Sequence, residues 1–208
     1  MGSVEAVNVV REVRDGRWGL TAIDKRPVDG LVEVGELGLT GDQQLTGGHG
    51  GRDRAVYAYA SEDATWWADE LGRETPAGLF GENLRTVGQP VGDAQLGERW
   101  RIRNVLLEVR LPRTPCENLS LRLGIERFHR RFASTGRVGA MLKVLEPGEL
   151  RAGDEIEIVY RPDHGLTISD LAVGAPPDCA RRLLDSGLPV APTVRAKLRR
   201  IVRRDATH

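Results

Sequence analysis

Short segments in which apolar and polar residues alternate fill the first three quarters of the chain, and glycines separate them. Alternation with a period of two is typical of half-buried β-strands, and Gly, Pro or Asp bounds most segments. Parallel crossovers would need a long connection, usually a helix, between nearly every pair of strands, so the pattern favours a barrel or sandwich. Nine strands are predicted: residues 4–13, 22–25, 30–34, 54–59, 83–87, 99–103, 105–111, 139–145 and 155–160.

Two helical patterns interrupt the strands, and only helical patterns follow Tyr160. The first helix has Ser61 as its predicted N-cap and ends at Gly72, and the second lies between residues 118 and 131. Three short helical patterns complete the chain. The sequence therefore predicts a mainly β protein with some α: a barrel-like domain over residues 1–162 and a small three-helix domain over residues 163–208. We expect these helices to pack against the barrel and either to line the substrate entrance or to form a homodimer contact.

The last predicted helix is amphipathic. Val194, Leu198 and Ile201 share one face at i, i+4 and i+7, and basic residues lie mainly on the others. We favour a helix whose basic face is solvated over one that binds nucleic acid or a membrane.

Composition narrows the classes of function. The 208 residues carry 30 Lys and Arg against 30 Asp and Glu, so there is no bulk basic field for nucleic acid or anionic membranes. No apolar run is long enough to span a bilayer and residues 1–14 do not form a signal peptide, so a cytoplasmic location is expected. The only two cysteines, Cys116 and Cys179, exclude a disulfide framework, a four-cysteine zinc site and a cysteine-ligated iron–sulfur cluster within this chain.

Cys116 lies in a polar loop where a strongly apolar strand ends. Pro115 restricts the backbone before it, and Arg110 and Arg113 are close enough in sequence to favour a thiolate or a soft-metal ligand. Single cysteines are more often inert and half-buried. The polar setting favours a functional Cys116, whereas Cys179, on a helical pattern beside Leu183, is interpreted as packing.

A glycine-rich loop, residues 47–51, is a candidate for anion binding. Its glycines permit positive φ angles and close approach of backbone N–H groups to a ligand, and His49 and Gly50 lie within it. The alternative is an ordinary hairpin with a loop histidine. Lys25 precedes a proline-fixed turn and is a second candidate, with an exposed lysine as the alternative.

Two further segments combine polar side chains with flexible backbone. Glu82 and Asn83 introduce a strand, and together a carboxylate and an amide satisfy the donor and acceptor edges of a polar heterocycle. Arg137 places a guanidinium between two glycines. An ordinary turn leading into a strand would look much the same in both places.

Taken in order, six segments resemble the MOSC family, which is named after the C-terminal domain of molybdenum-cofactor sulfurases. The resemblance covers nearly the whole chain, and the helical tail is similar to that of the stand-alone bacterial branch that includes hydroxylaminopurine reductase. It implies a MOSC-type β-barrel domain. The segments are residues 25–30, 38–43, 49–56, 80–84, 112–116 and 136–139, which read KRPVDG, GLTGDQ, HGGRDRAV, FGENL, PRTPC and GRVG.

The resemblance also implies a cofactor and a set of site residues. Cys116 matches the thiolate that ligates molybdenum and is the implied catalytic residue. Other positions are implied to bind the pyranopterin molybdenum cofactor; pyridoxal phosphate is not expected. These cofactor-binding positions are Lys25, His49, Gly50, Glu82, Asn83, Arg113 and Arg137.

The primary hypothesis is a molybdenum-cofactor oxidoreductase that reduces small N-hydroxylated compounds such as hydroxylaminopurine-like bases. Because the chain shows no flavin or iron–sulfur motif, two electrons would come from a separate reductase, expected to be a flavoprotein. One alternative is a sulfur carrier or cofactor-handling protein that uses Cys116 as a persulfide or as a ligand without turnover. Another is a binding domain that has lost the cofactor.

Overall fold

The computed structural model describes residues 2–45 and 50–207. Within this part of the chain the strands follow the predicted order, and two short strands that the pattern did not predict, β4 and β10, are added. The strands are β1 Gly2–Gly16, β2 Gly19–Pro27, β3 Val32–Gly35, β4 Gly38–Leu39, β5 Val56–Ala60, β6 Leu84–Val87, β7 Arg99–Ile102, β8 Val105–Pro112, β9 Ala140–Glu146, β10 Gly148–Leu150 and β11 Glu155–Tyr160.

Six α-helices accompany the strands in the described residues. Three of them lie between strands, and three follow β11. The helices are α1 Ser61–Leu71, α2 Glu117–Leu123, α3 Phe128–Ser134, α4 Ile168–Val173, α5 Pro177–Asp185 and α6 Pro192–Asp205. None of them combines the length and the apolar character needed to cross a membrane.

Seven strands close into a barrel. The sheet runs β11-β7-β8-β9-β5-β6-β1, and β1 pairs again with β11, which closes the ring. Because the ring is closed, the sheet that these seven strands form has no open edge. β2 pairs with the second half of the long β1 as an antiparallel ribbon, and β3, β4 and β10 form a separate small sheet. The fold is mainly β with α, which confirms the predicted class.

Strand β5 shows why this sheet is covered on both faces. Alternate side chains point to opposite faces of a strand. Val56, Ala58 and Ala60 belong to the barrel core, whereas Tyr57 and Tyr59 belong to a second apolar cluster formed with the helices. That cluster contains Trp67, Phe80, Leu119, Phe128 and Phe132. The helices α1 to α3 therefore seal the outer face of the barrel beside Tyr57.

Two details of the helices differ from the sequence prediction. Ala60, whose backbone is extended, is the N-cap of α1; Ser61 is its first helical residue, and the Ser61 hydroxyl contacts the Glu5 carboxylate on β1. The single helix predicted between residues 118 and 131 is two helices. Gly124 adopts φ 67°, a left-handed conformation that ends α2 and is favourable for glycine.

The three C-terminal helices pack directly on the barrel. One continuous apolar core includes Trp100 and Leu107 of the barrel together with Leu171, Leu183 and Leu198 of the tail. Arg110 on β8 adds a polar connection: its Nη1 donates to Glu108 at 2.8 Å and to the Pro189 carbonyl at 2.7 Å. Its Nε donates to Asp53 at 2.9 Å, next to the glycine-rich segment. The division at residues 162 and 163 remains a prediction.

His164 lies buried at the junction of barrel and tail. Its Nδ1 accepts from the Leu166 N–H at 3.0 Å, so its Nε2–H donates to the Leu96 carbonyl at 2.8 Å and the ring is neutral. Burial lowers the pKa of His164, against the opposing effects of the Leu96 hydrogen bond and Asp163; Arg182 lowers it further. Because the folded ring binds a proton less readily than the unfolded one, its stabilisation is present above the ordinary pKa of about 6.5 and is lost as pH falls below it.

We expect the thermal midpoint of the wild-type protein to fall between about pH 8 and about pH 5.5 by more than that of a His164→Gln variant. Glutamine has an amide donor for Leu96 but no proton to gain in this range. Differential scanning fluorimetry at the two pH values measures the difference. An equal fall in both proteins would show that His164 does not contribute to the acid sensitivity.

Candidate functional site

A cavity opens beside β2 and the end of β8, with an empty volume of about 650 Å³ that includes its solvent-filled mouth. It is lined by β2, the segment after β4, Tyr57, the turn before β6, and the segment from the end of β8 into α2. Polar lining residues are Thr21, Lys25, Gln43, Gln44, Arg54, Asn83, Arg113, Cys116 and Asn118.

Cys116 reaches this cavity because β8 ends at Pro112 and the chain turns into α2. The Arg113 N–H donates to the Gly139 carbonyl at 3.2 Å, which extends the contact between β8 and β9 by one residue. Gly139 has φ 71°, and a Cβ there would lie 2.4 Å from the Ala58 carbonyl oxygen, so glycine is required at this close approach. Cys116 is half-buried and directly precedes α2. The thiol is thus held by a rigid backbone at the cavity wall.

Arg113 brings a buried positive charge to the same wall. Its guanidinium lies 5.3 Å from the ring centroid of Tyr57 and 5.7 Å from that of Phe132. Arg113 is 8% exposed, and within the described part of the chain its buried Nη1 has no hydrogen-bond partner. A buried charged donor without a partner is costly. An acceptor or anion in the cavity would remove that cost.

Lys25, Asp42 and Asn83 form a buried polar network beside the cavity. The Lys25 ammonium pairs with the Asp42 carboxylate, and Asn83 Nδ2 donates to the same oxygen, Oδ2, at 2.8 Å. Asn83 Oδ1 accepts from the Tyr57 N–H at 3.0 Å, which fixes the orientation of the amide. Burial lowers the pKa of Lys25, and the negative charge of Asp42 works against that lowering. Lys25 and Asn83 both line the cavity.

The structure does not bring Glu82 and Arg137 to the cavity wall. Glu82 is fully buried, where it pairs with Arg85 and accepts from the Gly78 N–H at 2.8 Å and the Phe80 N–H at 3.1 Å. Because these bonds engage its carboxylate, Glu82 stabilises the turn before β6. The Arg137 guanidinium pairs with Asp63 at 2.5 Å and lies 5.0 Å from the ring centroid of Trp66.

Of the glycine-rich loop, Gly50 and Gly51 lie within the described residues. Gly50 and Gly51 line a second cavity next to the first, of about 930 Å³ with its open mouth, and Gln44 lines both. The Gln44 amide donates to the Arg54 carbonyl at 3.1 Å, which connects the two sides of this segment. His49 lies outside the described residues.

Sequence reasoning missed several residues of the site. Asp42, the partner of Lys25, lies in the Gly-Asp-Gln sequence but is not among the predicted site residues, and Tyr57, Asn118 and Met141 have no recognisable motif. The acidic residue in the Gly-Asp-Gln sequence was an available signal, because a buried cation needs a counter-charge. Tyr57, Asn118 and Met141 reach the cavity only because closure of the barrel brings distant segments together.

The donor set of the cavity fits a metal-containing organic cofactor. Cys116 offers one soft sulfur ligand, the partnerless Arg113 Nη1 offers a buried cationic donor, and Lys25 offers an ammonium. Among the described residues no group of three or more His, Cys, Asp or Glu side chains is arranged to hold a metal ion. Fold and site together define a β-barrel protein with a thiol-bearing, cation-lined cavity.

The family follows from comparison with known proteins. The family model described as MOSC domain matches residues 46–157, and the chain belongs to the MOSC family. The chain is 36% identical over 157 residues to protein YiiM of Escherichia coli strain K12, which covers 74% of this chain and 67% of YiiM. The resemblance stated from the six segments is thereby confirmed.

Two other matches extend the comparison. A protein named "Reductase" from Gibberella moniliformis is 36% identical over 146 residues, which cover 68% of this chain but 26% of that protein. The crystal structure of YiiM from Geobacillus stearothermophilus superposes with a TM-score of 0.79 over 97% of this chain and 100% of that one. At 24% identity, this second match shows similarity of fold, and the superposed region covers the helical tail as well as the barrel.

Proposed function

We propose that this protein is a molybdenum-cofactor oxidoreductase that reduces N-hydroxylated compounds. The observation that carries the proposal is the meeting of Cys116, Arg113 and Lys25 at one cavity in a MOSC-family barrel. The overall conversion is R–NHOH + 2e⁻ + 2H⁺ → R–NH₂ + H₂O. A separate reductase, which we propose to be a flavoprotein, supplies the two electrons. The match to a protein named as a reductase supports this class of reaction.

The chain's own residues have distinct roles in this proposal. Cys116 is the protein ligand of the metal, and the bound cofactor supplies the two-electron redox chemistry. Arg113 and Lys25 hold the anionic and hydrogen-bond-accepting parts of the cofactor. Asp42 and Asn83 position Lys25, because their contacts fix its ammonium on the cavity side of β2. Tyr57 packs beneath the Arg113 guanidinium.

The proposal is tested on protein produced in cells that make the molybdenum cofactor. We expect near-stoichiometric molybdenum by elemental analysis, the fluorescence of the oxidised pterin after acid release, and reduction of 6-hydroxylaminopurine to adenine with a chemical electron donor. Protein from cells that cannot make the cofactor is the control. Purified protein with neither molybdenum nor pterin would overturn the proposal. Cofactor content without any turnover, together with a labile persulfide sulfur, would instead favour the carrier function.

A further inference from the structure

The turn that joins β1 to β2 presents an exposed tryptophan, Trp18, two residues before Leu20, which lines the cavity. Gly16 pairs with Gly19, so Arg17 and Trp18 form a two-residue turn. Trp18 is 78% exposed, more than any other large apolar side chain in the described residues. Leu20, two residues further along, is also exposed and lines the cavity. Exposed apolar side chains at a cavity, such as Leu20, are typical of a ligand-binding site.

This turn is anchored to the segment that follows Cys116. The Arg17 N–H donates to Asn118 Oδ1 at 2.8 Å, and the Arg17 guanidinium forms an ion pair with Glu117 at 2.9 Å. Asn118 itself lines the cavity. The position of the turn is therefore fixed relative to the thiol, although the two segments are about 100 residues apart in sequence.

Arg17 also determines which surface of Trp18 is available. Its guanidinium lies 5.4 Å from the centroid of the indole ring, a cation–π contact that covers one face. The opposite face remains open to a second planar group. Leu20 and Asn118 line the cavity and connect this turn to its wall, and Trp18 is the exposed aromatic side chain of the turn.

We infer that Trp18 is a stacking platform that selects planar heteroaromatic substrates at the mouth of the cavity. Purine rings stack on the open indole face, and stacking of a base on an aromatic side chain corresponds to a change in affinity of about 5- to 150-fold. Aliphatic N-hydroxylated compounds do not gain this contact. The inference rests on the proposed function for the chemistry at the N–O bond, but binding of the ring can be measured without it.

Binding is tested with adenine, the expected reduction product of 6-hydroxylaminopurine, by tryptophan fluorescence. Trp18 is far more exposed than Trp67 and Trp100, which are buried. We expect adenine to quench the emission of the wild-type protein and of a Trp66→Phe control, and the quenching to be lost in Trp18→Phe. Quenching that persists in Trp18→Phe would overturn the inference.

Selectivity is tested on the cofactor-loaded protein with two substrates. We expect Trp18→Ala to raise KM for 6-hydroxylaminopurine about tenfold with little change in kcat, and Trp18→Phe to remain within about threefold of the wild type, because phenylalanine retains a ring. KM for N-methylhydroxylamine should not change in either variant. An equal rise for both substrates would overturn the inference. If neither substrate is reduced, the proposed function fails, and the fluorescence result alone decides the role of Trp18.

Discussion

Replacing Cys116 with serine is expected to lower the molybdenum content and the N-hydroxyl reductase activity of the purified protein by more than about 100-fold, since changes to residues outside the first coordination sphere already cost about 10- to 100-fold. Serine is close to cysteine in size, so the loop from Arg113 into α2 is retained. Its hydroxyl, however, is a harder donor and is not ionised at neutral pH, whereas a thiolate suits a soft metal site. Elemental analysis, pterin fluorescence and the activity assay measure the loss.

Cys179 provides a matched control for this experiment. It is half-buried on α5, with Arg182 Nη2 3.1 Å from its sulfur, and it does not line the cavity. We expect Cys179→Ser to retain cofactor and activity. Wild-type levels of molybdenum and turnover in Cys116→Ser would contradict the assignment of Cys116 as the metal ligand. Loss of activity with molybdenum retained would show that contacts to the organic part of the cofactor, such as those of Arg113 and Lys25, are enough to keep it bound.

Replacing Arg85 with methionine is expected to lower the free energy of unfolding by about 3–5 kcal/mol, because it leaves the Glu82 charge buried without its partner. The two side chains are 3% and 0% exposed. Arg85 Nη2 also donates to the Pro76 carbonyl at 3.2 Å, so the pair holds the turn that leads to Asn83. For a chain of this length the change corresponds to a fall in thermal midpoint of about 6–20 °C. Chemical denaturation and calorimetry measure both quantities.

An exposed ion pair on the same barrel is a control that distinguishes the effect of burial from the effect of removing a charge. Arg101 and Glu146 are 2.5 Å apart with side chains 30% and 54% exposed. We expect Arg101→Met to have a much smaller effect on the free energy of unfolding than Arg85→Met, because solvent screens the exposed pair. The double variant Glu82→Met with Arg85→Met should recover part of the loss, since it removes the buried charge altogether. Equal, small effects of Arg85→Met and Arg101→Met would show that the buried pair is not a major source of stability.

The strands were predictable because their alternation is a local property. β7 and β11 were placed to within one residue, and only very short strands such as β4 were missed. The break of the second helix was harder to predict, because the helical pattern continues across residues 124–127, where left-handed φ angles at Gly124 and Arg127 separate α2 from α3. The predicted cap of α1 was off by one residue, and the Ser61 hydroxyl contacts Glu5, far away in sequence, where the prediction had it cap the helix.

The site was predictable only in part, for a similar reason. Residue type and flanking prolines identified Cys116, and the structure places Lys25, Asn83 and Arg113 at the same cavity. Glu82 has equally suggestive chemistry in the sequence, but Arg85, three residues later, takes up its charge inside the protein. Whether a polar side chain faces a ligand or completes the core depends on which distant residues surround it. Sequence spacing does not contain that information.

The shared core of the barrel and the C-terminal helices has a consequence for how the protein tolerates change. Leu198 and Val194 on α6 pack into the same apolar cluster as the strands, and Arg110 joins the tail at Pro189 to Asp53 beside the glycine-rich segment. The helices are therefore part of the scaffold on which the cavity depends. A substitution of Leu198 or Val194 is therefore expected to destabilise the barrel together with the tail, even though neither residue lines the cavity.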